Sequence, residues 1–151
     1  MDFPERLVMS SPRPVLIIPH TGAFPSVGKR ILVAWNATQE ATRAIANATP
    51  LLSSADSGYF MAVNCKSSKQ EILCSDNMVR YLERLGIRAE IKDLQNVEID
   101  VGNELLSRAS DLSADLVVMG CYGHSRLREW VLGGATRTLL ESMTVPVLMS
   151  H

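Results

Sequence analysis

Two uninterrupted apolar runs, Ile31-Leu32-Val33-Ala34 and Leu116-Val117-Val118-Met119, constrain this chain more than any other feature. A strand with one wet face alternates apolar and polar residues, so a run apolar at every position suits a strand covered on both faces. Such strands belong to parallel sheets, whose crossovers lay helices on each side. Residues 31–35, 116–119, 15–18, 59–63 and 147–149 are read as strands on this signal. A weaker sixth, 88–94, alternates Ala89, Ile91 and Asp93 with Glu90, Lys92 and Leu94.

Helical spacing fills the intervals. Residues 38–52 carry Ala41, Ala44, Ile45, Ala48 and Leu52 on one face behind Thr38, a good N-cap, and Pro50 predicts an end near Thr49. Residues 70–85 carry Ile72, Leu73, Met78, Val79, Leu82 and Leu85, with Gly86 as the stop. Residues 101–112 carry Leu105, Leu106, Ala109 and Leu112, and a last helix, 135–143, follows a double glycine. Strand and helix in alternation give right-handed βαβ units, hence an α/β fold with a doubly wound, open, parallel sheet.

One element is surplus to that plan. Residues 7–19 resemble 139–151, each with a short polar turn leading into Pro-Val-Leu, at Pro14 and at Pro146. Either this tripeptide simply suits strands, or the chain opens with the tail of one repeat and continues through a whole second one. The expected organisation is an N-terminal segment, 1–28, holding an extra strand and a Gly/Pro-containing linker at 21–28, followed by a domain over 29–151.

Bulk properties exclude several classes. The 151 residues carry a formal net charge of −1, so no overall field draws the chain to nucleic acid or anionic lipid, and neither partner is expected. Three cysteines, Cys65, Cys74 and Cys121, lack paired spacing, and His20, His124 and His151 are dispersed, so no disulfide framework or metal centre is read. Asp2, Pro4, Glu5 and Pro12 interrupt the start, which therefore has no apolar leader core. No run approaches the roughly 20 apolar residues that span a bilayer. The expected location is the cytoplasm, with no membrane association.

The chemistry concentrates in residues 116–140. A strand ends at Met119 and runs into Gly120; Gly123 follows, then nine residues, then Gly133, Gly134, Ala135 and Thr136. Glycines let main-chain N–H groups approach a ligand closely, and a helix N-terminus adds free donors and a positive dipole end. Together these suit an anion at the carboxyl edge of an open sheet. The competing reading makes the same glycines mere turn and cap residues. Neither a Gly-Lys-Ser/Thr nor a G-x-G-x-x-G sequence is present.

The string Gly120-x-x-Gly123, nine residues, Gly133 resembles the nucleotide motif of the universal stress protein family, G-x2-G-x9-G-S/T, over about residues 29–151. The stretch from Tyr122 to Thr136 is similar to the second half of tandem members. That resemblance implies a five-stranded sheet of order 3-2-1-4-5 and an adenine nucleotide, ATP, ADP or AMP, with or without magnesium. By the same resemblance Ala34 and Asn36 face the adenine and Val63 holds the base through its backbone. Met119, Gly120, Gly123 and Gly133 surround ribose and phosphates, and Gly134, Ala135 and Thr136 close over the phosphates. It also implies a stress-response role and a homodimer through the last strand. Two departures stand out. Asn36 occupies the place of an acidic residue, and Gly134 that of a Ser/Thr; one lost neutral hydrogen bond costs about 1 kcal/mol, roughly fivefold in affinity. No catalytic set is recognisable, so at most weak ATP hydrolysis is expected, and the alternative is a nucleotide-independent interaction module.

Other residues keep two readings each. His124, Arg126 and Arg128 either neutralise phosphate or form a solvated loop face. Trp35 either touches a base or is buried under a helix. Cys121 is redox-sensitive if exposed and inert otherwise. Asp115 and Glu129 have no evident partner.

Overall fold

The computed structural model describes residues 3–63, 76–87, 89–94, 100–121 and 129–151. Eleven elements follow in chain order: α1 (Phe3–Ser10), β1 (Val15–Ile17), β2 (Arg30–Trp35), α2 (Gln39–Ser54), β3 (Ser57–Val63), α3 (Asp76–Arg84), β4 (Ala89–Leu94), α4 (Val101–Asp111), β5 (Leu116–Gly120), α5 (Glu129–Ser142) and β6 (Val147–Ser150). They build one six-stranded sheet ordered β1-β6-β5-β2-β3-β4. Numbered from β2, the five parallel strands read 3-2-1-4-5, and β1 is added antiparallel at the β6 edge.

The apolar runs behave as expected of doubly covered strands. On β2, Ile31, Val33 and Trp35 pack with Ala41, Ala44, Ile45 and Ala48 of α2 and with Met78 and Leu82 of α3. The intervening Leu32 and Ala34 pack on the opposite layer, with Val101, Leu105 and Ala109 of α4 and Ala135 and Leu139 of α5. Period-two alternation thus divides one strand between two cores. Val8 of α1 and, half-buried, Val15 and Ile17 of β1 join the second layer.

Two boundaries and one element differ from expectation. Helix α2 runs through Pro50 to Ser54. Proline removes the bond to the carbonyl four residues back, at Ala46, yet Ala46 and Pro50 are both exposed, so water can take that carbonyl while buried Ala48 and Leu52 hold the helix to the sheet. Helix α5 begins at Glu129, so Gly133 and Gly134 lie inside it rather than at its start. Helix α1 has no counterpart in the sequence reading. Elsewhere the local signals hold. Thr38 caps α2, its hydroxyl accepting from the Ala41 N–H at 3.2 Å. Gly86 ends α3 at φ 70°, with the N–H groups of Gly86 and Ile87 donating to Glu83 and Leu82.

Candidate functional site

Strand order reverses between β2 and β5: from β2 the chain proceeds to β3 and β4 on one side, from β5 to β6 on the other. At such a switch point the two outgoing connections diverge and leave a crevice beyond the strands' carboxyl ends. A cavity lies there, lined by Ala34, Trp35 and Asn36 from the end of β2, Met119 and Gly120 from the end of β5, Val101 and Leu105 of α4, and Ala135 of α5. Five residues singled out from sequence, Ala34, Asn36, Met119, Gly120 and Ala135, therefore meet in one place. The cavity is small, about 20 Å³, room for about one water molecule.

Asn36 sits in a network that explains its residue type. Its Oδ1 accepts from the Thr38 hydroxyl at 2.7 Å and from the Thr38 N–H at 3.4 Å, orienting the cap of α2. That leaves the amide Nδ2 donors for a ligand, since no hydrogen bond among the described residues engages them. Between them Ala37 takes φ 59°, the left-handed region that costs a residue with a Cβ about 1–2 kcal/mol. Magnesium at such an edge asks for one or two carboxylates beside the phosphates. At position 36 the chain offers an amide, and the described residues contain no cluster of His, Cys, Asp or Glu able to hold a metal. The donor chemistry at this position does not fit a bridging cation.

Gly120 has a reason other than ligand approach. A Cβ added there would meet the main-chain N of Ala41 and C of Glu40, each at 2.4 Å. The first turn of α2 rests directly on the end of β5, and only glycine admits it. Gly102 performs the same service between helices, where a Cβ would meet the Ala135 carbonyl oxygen and the Thr138 Cβ, both at 2.8 Å.

The remaining sequence-chosen residues are dispersed or outside the described residues. Val63 ends β3, paired with Leu94 of β4 and one position beyond Ala62, the last residue paired with β2. Gly133 and Gly134 fall in the second turn of α5, where main-chain N–H groups are engaged within a helix rather than free as they are in its first turn. The expected cradle of amides at those glycines is thus corrected: the free donors of this helix belong to residues nearer Glu129. Gly134 is exposed, whereas Thr136 is fully buried and presents no surface hydroxyl. Gly123, His124, Arg126 and Arg128 lie outside the described residues.

Cys121 is buried, and its thiol is pushed up to about 12 by burial, with the charge of Glu40 adding to the effect. Its Sγ donates to the Ser150 carbonyl at 3.3 Å. The exposure that redox sensitivity requires is absent. Trp35 is buried as well.

Two features were missed from sequence. A larger cavity, about 320 Å³, lies on the opposite face of the sheet between α2 and α3, lined by Trp35, Ala37, Thr42, Ile45, Asn77, Met78 and Tyr81. It lies away from the crevice at the switch point, and neither cavity is lined by a charged group among the described residues. The second concerns Asp115, which has partners after all. Its carboxylate accepts from the N–H groups of Gly28 (3.1 Å), Lys29 (3.0 Å) and Arg30 (2.9 Å) and from the Ser26 hydroxyl (2.8 Å). Burial pushes its pKa up, but these donors together hold it below the usual carboxylate value.

Comparison with known proteins agrees with this fold. The model of the Universal stress protein family matches residues 28–151. A universal stress protein of Synechocystis is 29% identical over 152 residues, covering 95% of this chain and 49% of that protein. The chain spans about half the length of the curated relatives it matches. A universal stress protein from Archaeoglobus fulgidus superposes with a TM-score of 0.70 at 21% identity, covering 91% of this chain and 49% of that one. Two shorter neighbours are nucleotide complexes. One from Archaeoglobus fulgidus holds dAMP (TM-score 0.59, 16% identity, 80% of this chain and 95% of that one). The other holds cAMP (TM-score 0.64, 16% identity, 83% and 98%).

Proposed function

Because the chain belongs to the universal stress protein family, we propose that residues 29–151 bind an adenine nucleotide at the switch point between β2 and β5 and act as a cytoplasmic regulatory domain in stress response. The observation that carries this reading is the convergence of Ala34, Asn36, Met119, Gly120 and Ala135 on one cavity. In this reading Ala34 and Met119 pack on the base, and Asn36 Nδ2 donates to a ribose or phosphate oxygen. The main chain of Val63, Gly120 and Gly123 supplies the rest of the site, with the first-turn N–H groups of α5, near Glu129, in place of those at Gly133 and Gly134. Solved relatives in complex with dAMP and cAMP lend the nucleotide class.

The cavity admits a nucleotide only if α4 and α5 move outward at Val101, Leu105 and Ala135, so binding spends part of its energy on opening the site. The amide at position 36 makes recognition independent of magnesium there. No hydrolytic step is assigned to the described residues. The expected pairing of two copies through β6 meets an edge already taken by β1, which would have to leave first. As to the membrane, no described helix is long and apolar enough to cross one.

Calorimetric titration with AMP, ADP and ATP, each with and without magnesium, tests the proposal. A saturable heat that EDTA leaves unchanged is expected. Asn36→Asp keeps the acceptor for Thr38 but replaces the donors by charge; it should weaken binding about tenfold without magnesium and make it magnesium-dependent. Absence of heat with all three nucleotides at millimolar concentration would leave the nucleotide-independent interaction module, the reading that the small closed cavity favours.

A further inference from the structure

The cavity of about 320 Å³ between α2 and α3 has no part in the functional reading above. Its floor is apolar. Trp35 and Ile45 are buried and belong, with Met78, to the layer that packs β2 against α2 and α3. Its mouth is formed by exposed residues, Thr42 of α2 and Asn77 and Tyr81 of α3. Ala37 completes the wall, at φ 59°. Glycine at this position would relieve the backbone but would also remove the one side-chain atom that position 37 gives to the lining. The sequence keeps that atom despite the strain, and strained backbone gathers where a surface is shaped for a ligand.

The size is that of a small-molecule site. Protein interiors hold few voids larger than a water molecule, whereas sites for small ligands begin near about 300 Å³. A dry cavity of about 150 Å³ takes benzene, so roughly twice that volume takes two fused rings. Water in such a space finds mostly apolar walls, and its release favours an apolar occupant.

The lining selects the chemistry. No charged side chain is among the described lining residues, so an ion entering would lose hydration with nothing to replace it. Trp35 and Tyr81 bring two aromatic rings and Met78 a thioether, partners that favour a flat π-system over a saturated one of equal area. Tyr81, 41% exposed, still has apolar surface to bury against an occupant.

We infer that this cavity is a second binding site, on the opposite face of the sheet from the switch point, for a small, uncharged, planar aromatic molecule of about two fused rings. The inference stands apart from nucleotide binding, and its test contains no nucleotide, so either reading can fail without the other.

The test uses the full chain, with methionine methyl groups isotopically labelled for NMR, and indole as the probe. Ring currents from bound indole should shift the Met78 methyl resonance, assigned by Met78→Leu, in a saturable way. Met119, which lines the switch-point cavity, should stay in place. Indoleacetate, the same ring with one negative charge, should bind about tenfold more weakly. Position 81 is exposed, so its variants should keep native circular dichroism. Tyr81→Phe should bind indole as the parent does, and Tyr81→Leu should bind about fivefold more weakly. No saturable Met78 shift at millimolar indole would overturn the inference. A Met119 shift as large as that of Met78 would do the same, as would equal affinity for indole and indoleacetate. A folded Tyr81→Leu variant that binds indole as tightly as the parent would remove the aromatic preference and the inference with it.

Discussion

Asp115 offers the most direct test of how the amino ends of the strands control the site at their far ends. Its carboxylate gathers three consecutive main-chain N–H groups, those of Gly28, Lys29 and Arg30, while its own N–H donates to the Arg30 carbonyl at 2.9 Å. That clamp joins the start of β2 to the start of β5, and Ile31 then pairs with Leu116. A one-residue slip would turn every side chain of β2 to the other face and dismantle the cavity. Asp115→Ala removes all the acceptors. A hydrogen bond to a charged group in a protected setting contributes about 1.5–3 kcal/mol, but this carboxylate is partly open to water, so about 1 kcal/mol for each main-chain donor is appropriate, or about 3 kcal/mol in all. For a chain of this size that lowers Tm by about 6–12 °C at neutral pH. Asp115→Asn keeps one acceptor oxygen and should lose less, about 1 kcal/mol. The sign of the pH effect follows from the depressed folded-state pKa. Stability from this group is present above the ordinary carboxylate value and disappears as pH falls through the lower folded value. Thermal melts at pH 7 and pH 3 decide the matter. The gap between parent and Asp115→Ala should be widest at pH 7 and narrow in acid. An alanine variant melting within 2 °C of the parent at pH 7 (roughly 1 kcal/mol or less) would refute the clamp.

Two further substitutions follow from backbone geometry. Gly120→Ala should destabilise by about 3 kcal/mol, the upper end of ordinary overpacking, because its Cβ meets main chain of α2 rather than a movable side chain; chemical denaturation measures it, and a loss below about 1 kcal/mol would mean α2 yields easily. Ala37→Gly should stabilise by about 0.5–1 kcal/mol, relief of the left-handed φ outweighing the added chain entropy. A lower midpoint in urea would show that Ala37 is not strained.

The parallel core was legible because its signal is local and redundant: β2 and β5 are apolar at every central position, which few folds other than a doubly covered sheet can use. The cap at Thr38 and the stop at Gly86 were legible for the same reason, each being settled within four residues. What escaped depended on contacts distant in sequence. Asp115 looked solitary because its donors are backbone groups some 85 residues earlier. Gly120 was read as a glycine for a ligand, whereas the atoms nearest to it belong to Glu40 and Ala41. Pro50 was read as a terminator, yet solvent on its face of α2 allowed the helix to continue. Helix α1 buries Val8 but leaves Phe3 and Leu7 outside, so its eight residues carry too faint a stripe to be noticed. The double glycine of α5 was taken for a helix start although the helix begins a turn earlier.

The shortness of β1 has a consequence for colloidal behaviour. An open sheet border invites further strands, and long apolar borders seed fibrils. Here that border is three residues long, with Pro14 immediately before it and Pro19 two residues after it, and neither proline has an N–H to offer an incoming chain. Docking β1 therefore replaces the four-residue border Val147–Ser150, apolar over its first three positions, with a shorter one closed at both ends, which should keep concentrated solutions of the protein clear.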